Sequence, residues 1–170
     1  TDVAAEQPLA TGNANLIVNK DLLYTNYDGT DAIGLIAQNN LFAGFFSEGS
    51  FSGTADEQEL RIDAALIAQN GMVGRLSYGK RSSTDYEDED GNSCGNDNAH
   101  RNTITNYGAL ASNQRYGFAY VGSNYSCGTF DHSSGYCTRN LYYDENFYFG
   151  PPPFFPSTGR YEIITWHEKE

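Results

Sequence analysis

The sequence holds a single Met, a single Trp, five Pro and three Cys, and only 19% of its 170 residues are charged. Long apolar runs are missing too. The longest aliphatic stretches, such as residues 64–68, stop after a few positions, which excludes a bilayer-spanning helix. Basic residues are outnumbered 22 to 10, for a formal net charge of −12. A phosphate backbone is repelled by that field, so no nucleic-acid partner is expected. The same repulsion argues against membrane contact by this chain through anionic lipids. Thr1 is not an initiator Met and no basic, apolar leader follows it. The chain therefore reads as processed or as a fragment.

Catalytic signatures are likewise missing. There is no Gly-x-Ser-x-Gly elbow, no phosphate-binding Gly-rich loop and no His-Glu-x-x-His. Asp131, His132 and Ser133 stand side by side, whereas catalytic triads assemble from separated elements. Asp56, Glu57, Asp63, Arg61 and Arg75 are the residues from which a polysaccharide-cleaving groove would be built. Without geometry they read as ordinary surface charge. The expectation is a protein that is not an enzyme, with a carbohydrate-active enzyme as the alternative.

What is present favours pleated structure. Thirteen Tyr and ten Phe accompany abundant Gly, Asn, Ser and Thr. Four segments align as strand, Asn/Gln-rich corner, strand: residues 16–23, 35–42, 66–73 and 109–116. Leu-Ile-Ala-Gln-Asn occurs verbatim at Leu35 and at Leu66. The spacings are 19 from Ile17 to Ile36, 31 to Ile67 and 43 to Leu110. A base period of that size with growing insertions predicts an all-β fold, a parallel β-solenoid (β-helix-like). Its coils span 14–122 in a single domain covering 1–170. Inserted loops fall at 47–59, 80–102 and 123–139, and residues 140–170 form an aromatic, proline-rich C-terminal cap.

Cys94, Cys127 and Cys137 lie in polar, Gly- and Ser-rich segments and read as loop staples in an oxidising compartment. Cys127 with Cys137 is one pairing, either with Cys94 is another, and one thiol is left over. These thiols with His100 and His132 contain zinc-type donors, but no Cys-x2-Cys pair organises them. Asp88, Asp90 and Asn92 resemble the middle of a calcium loop, with Tyr86 and Asp97 at positions where stronger ligands are expected. A Ca²⁺ site there is the sharper reading and a solvated loop the plain one; no other cofactor is expected. Tyr120, Tyr125, Phe130 and Tyr136 are the expected anchors of a loop-borne contact surface, since Tyr, Ser, Gly and Asn suit adaptable contacts.

The order Leu-Ile-Ala-Gln-Asn, then Tyr142-Tyr143-Asp144, then Pro-Pro-Pro-Phe-Phe-Pro-x-x-Gly-x-Tyr-x-Ile-x-x-Trp resembles the C-terminal part of bacterial pilus-assembly proteins of the minor-pilin (PilX-like) type. The resemblance is concentrated at 33–40, 62–74 and 141–168, roughly half the chain. It implies an extracellular, cell-surface module on type IV pilus-like machinery, structural or adhesive, normally preceded by a hydrophobic N-terminal helix. That helix has no counterpart in this sequence. Implied partners are pilus or other surface-protein subunits, or a host or glycan ligand. The family brings no catalytic residues. A filament subunit joined through its aromatic tail is the further alternative.

Overall fold

The computed structural model describes residues 13–78, 99–120, 134–153 and 155. Among the described residues there are eight strands: β1 Leu16–Val18, β2 Gly34–Ala37, β3 Leu41–Ala43, β4 Glu59–Ala68, β5 Val73–Gly74, β6 His100–Ser112, β7 Ala119–Tyr120 and β8 Ser134–Tyr143. A short 3-10 helix, Glu145–Tyr148, follows β8, with the Asp144 side chain accepting from the Asn146 N–H at its start.

The strands form two sheets, one ordered β1-β3-β5 and one ordered β2-β4-β6-β8-β7. The first is parallel throughout. The second is parallel from β2 to β8 and ends in an antiparallel pair, Ala119 opposite Gly135 and Tyr120 opposite Ser134. This corrects the expected all-β solenoid. The described residues make two sheets of parallel and mixed strands with a helical turn, and the reversal at β7 breaks the one-way winding a solenoid requires.

The repeat survives as register in part. Leu35 sits opposite Leu66, and Ala37 opposite Ala68. Identical strings stack identically here because a parallel pair places like residues side by side. The two outer copies behave differently. Leu16 pairs with Leu41 in the other sheet, so the first copy matches the strand after the corner, not the one before it. In the last copy Leu110 sits opposite Leu66, one residue away from the Leu110–Ile67 alignment. A one-residue slip changes the face every side chain occupies, and it turns Leu110 inward.

Alternate residues of β4 divide the second sheet's faces. Leu60, Ile62, Ala64, Leu66 and Ala68 join Leu41, Ala43 and Val73 of the first sheet, with Ile104, Phe118 and Tyr136, in the main core. Each large aliphatic chain buried there contributes about 2 kcal/mol. Asn106 also points inward and is satisfied, donating to the carbonyls of Ile62 (2.8 Å) and Ala64 (3.0 Å). At the corners, side-chain amides bridge successive strands: Asn70 donates to the Gln38 carbonyl at 2.8 Å and Asn113 to that of Asn70 at 3.1 Å. These amide bridges add to the backbone bonds of the corners, where the Gln38 carbonyl also accepts from the Asn70 N–H at 3.1 Å.

Several boundaries differ from expectation. Residues 51–58 are turns and bends, and β4 begins at Glu59, the last residue of the 47–59 segment. β6 begins at His100 and β8 at Ser134, so the ends of the 80–102 and 123–139 segments are strand. Asn140 to Tyr143 is still β8. The described residues after it do not close the open end of the stack. They cross the outer face of the second sheet, where Phe147 packs with Tyr24 and Ala65 and its ring lies 6.2 Å from that of Phe155. Pro152 lies so close to Gly34 that a Cβ there would stand 3.2 Å from it.

Candidate functional site

Two places gather polar or aromatic chemistry. On the outer face of β4 and β6, Tyr24, Tyr27 and Tyr107 form a triangle with ring centroids 5.8 to 6.2 Å apart. Asp63 is fully buried beneath it. One Asp63 oxygen accepts from Arg61 Nε at 2.9 Å, and the other accepts from the Tyr27 hydroxyl and the Tyr24 N–H. Asp144 accepts from the Tyr107 hydroxyl at 3.2 Å and from the Asn146 amide at 3.0 Å. Hydrogen bonding to Asp63 raises the Tyr27 pKa, while burial, then the nearby Asp144, raises those of Tyr24 and Tyr107. Hydrogen bonding to Asp63 holds Arg61 above its ordinary value. Asp63 is therefore committed to Arg61, Tyr27 and a backbone donor, and Asp144 to Tyr107 and to the Asn146 side chain and N–H. They fix the three rings in place.

Two of the residues weighed for a polysaccharide-cleaving groove, and otherwise read as surface charge, lie inside the molecule. Asp63 and Arg75 are fully buried, so they are not surface charge, and Asp56 and Glu57 are exposed on the loop before β4. Arg75 instead anchors the turn after β3, donating to the carbonyls of Ala99 (2.7 Å), Phe45 (3.0 Å) and Gly44 (3.4 Å). Arg101 donates to the same Phe45 carbonyl at 3.0 Å. Burial lowers the Arg75 pKa to about 10, which leaves it charged at neutral pH.

The second place is the β8 end of the stack. Beyond Tyr136 no described strand pairs with the outer edge of β8, and Leu141, Tyr142 and Tyr143 are 41%, 56% and 60% exposed. Beside them a groove of about 460 Å³ is lined by Leu110, Tyr116, Arg115 and Leu141 with polar corner residues. It adjoins a recess of about 240 Å³ that Arg115 and Tyr116 share with Arg139. Neither lining contains a carboxylate, although the chain carries 22. Arg139 is tethered along its own strand, donating to the Tyr136 carbonyl at 2.8 Å.

Of the expected loop anchors, Tyr120 is exposed at this end. Tyr136 is not a surface anchor. It is fully buried, its hydroxyl 2.6 Å from Ser47 Oγ and donating to the Glu48 carbonyl at 2.9 Å, and burial raises its pKa to about 12. Tyr125 and Phe130 lie outside the described residues, as do Asp88, Asp90 and Asn92 of the expected calcium site. Cys137 is disulfide-bonded; Cys94 and Cys127 are outside the described residues. Among the described residues no group of three metal-ligating side chains occurs, and no helix is long and apolar enough to cross a membrane.

Arg115, Tyr116, Arg139 and Leu141 were not singled out from sequence. The one signal for them was negative, since residues 108–120 and 134–143 contain no acidic residue in a strongly acidic chain. No protein-family model matches this chain, and no curated protein and no solved structure matches it either.

Proposed function

We propose that this chain is a non-catalytic, extracellular structural or adhesive domain that engages a surface-protein partner through its β8 end. The observation that carries the reading is the outer edge of β8, which no described strand covers beyond Tyr136 and which exposed Leu141, Tyr142 and Tyr143 flank. An unpaired strand edge is a template for another chain, and proteins normally blunt it with charge, proline or a cover. Here residues 138–143 carry one charge, Arg139, which lies back along its own strand. A disulfide at Cys137 suits an oxidising compartment. The minor-pilin resemblance fits the same role and rests on its quoted residues alone.

The test is site-specific photo-cross-linking in cells that make the chain. A benzophenone side chain at Tyr143 is expected to form a covalent adduct with a second surface protein. The same group at Ile17, exposed on β1 at the opposite end, is expected to form none. Equal adducts at both positions, or none at Tyr143, overturn the assignment.

A further inference from the structure

We infer that the β8 end receives an extended acidic peptide segment, which adds as a strand to residues 138–143 with its carboxylates on Arg115 and Arg139. The inference rests on the reading above and specifies the chemistry of the partner. Three features of the surface combine to select this occupant.

The edge itself selects an extended backbone. In a parallel ladder each strand turns every second amide and carbonyl toward either neighbour. The inward set of β8 meets β6 over eight register pairs, from His100–Gly135 to Gly108–Tyr143. The outward set of 138–143 faces no described strand. Main-chain hydrogen bonding to such an edge supplies affinity without demanding a sequence, and flanking pockets for alternate side chains supply selection. The groove beside Leu141, with Leu110 and Tyr116 in its wall, is such a pocket for an apolar side chain.

Charge selects acidity. Arg115 lines both the groove and the adjoining recess, Arg139 lines the recess, and no carboxylate lines either. Arg115 is exposed, so its guanidinium keeps its bidentate fork available for a carboxylate. The net charge of −12 opposes an acidic partner at long range. At physiological ionic strength that field is screened beyond roughly 8 Å, and the linings of the groove and the recess hold two arginines and no carboxylate. A basic segment would meet two like charges there, and a second copy of this chain would gain nothing from them at its own β2 edge, where Gly34–Ala37 carries no charge.

The test uses the whole chain and a short fluorescein-labelled peptide of alternating Glu and Val, read by fluorescence anisotropy. Binding is expected, and its Lys-for-Glu counterpart is expected to bind at least about tenfold more weakly. Charge reversal, Arg115→Glu with Arg139→Glu, is expected to invert that preference. Both side chains are exposed, and an unchanged melting temperature shows that the variant folds. N-methylation of alternate peptide amides leaves the charges in place and is expected to abolish binding. Equal binding of the two peptides, an unaltered preference in the variant, or undiminished binding of the N-methylated peptide each overturns the inference. Displacement of the peptide by unlabelled chain, with sedimentation as an oligomer, also overturns it by making a second copy the occupant. A Tyr143 adduct that persists while the acidic peptide fails to bind refutes the inference and leaves the proposed function standing. Loss of both refutes both.

Discussion

Arg75→Ala is expected to cost about 3–5 kcal/mol of folding stability, read as a lower urea midpoint at unchanged slope. The magnitude follows from what the guanidinium holds. Three buried carbonyls, those of Gly44, Phe45 and Ala99, accept from it. Its carbon also lies 4.8 Å from the Tyr78 ring centroid and 5.6 Å from that of Tyr136. Removing the fork takes from each carbonyl one bond to a charged donor, worth about 1.5–3 kcal/mol, while the Ser47 N–H, Arg101 and the Gly135 N–H remain as second donors to Gly44, Phe45 and Ala99. It also opens a cavity between two aromatic rings. Arg75→Lys keeps the charge and loses the planar fork, so it is expected to recover only part of the loss. A cost below about 1 kcal/mol for the alanine variant would contradict this account of the corner.

Gly108→Ala is expected to be comparably severe, at about 4 kcal/mol or outright failure to fold. Gly108 sits opposite Ala64 in the middle of the β4–β6 pair. Its φ is +155°, and a Cβ there would stand 2.1 Å from the Ala64 carbonyl oxygen and 2.5 Å from its carbon. Those atoms belong to the backbone of the most buried strand, so relief requires separating the two strands and not merely rotating a side chain. Gly150→Ala is the control, because a Cβ there meets nothing within 4 Å. It is expected to change stability by no more than about 0.5 kcal/mol. Thermal melts of the two variants side by side decide the matter, and equal stability would contradict the close approach of β4 and β6.

The sequence disclosed one part of this architecture well. Two copies of Leu-Ile-Ala-Gln-Asn pair in register because a verbatim string has a single self-consistent way to lie beside itself. The looser copies misled in instructive ways. Residues 109–116 share only scattered identities with the string, and with a period of two a slip of one residue costs the alignment little while reversing the faces. Leu16, Ile17 and Val18 look like Leu35, Ile36 and Ala37, yet they pair with Leu41, Phe42 and Ala43. Short apolar triplets are interchangeable by pattern, and only the length of chain between them decides which sheet they enter. The antiparallel turn of β7 against β8 left no mark in periodicity, because each strand there contributes two residues.

The polar chemistry was harder to read. Asp63 and Arg75 look like solvent charge in a linear chain, but distant partners justify their burial: Tyr24 and Tyr27 for one, the carbonyls of Gly44, Phe45 and Ala99 for the other. Tyr136 looked like a loop aromatic because Gly and Ser surround it. Its burial depends on Ser47, far back in the chain. Arg115 and Leu141 become neighbours only when β6 and β8 lie side by side. A site assembled across a sheet edge has no local spacing to recognise.

Amide hydrogen exchange of the free chain at low micromolar concentration tests the open β8 edge most directly. Strong protection is expected through β4 and β6, and rapid exchange at every second amide of residues 138–143. Protection of all the 138–143 amides to the level of β4 would show that the edge is already covered, and would contradict its assignment as the contact surface.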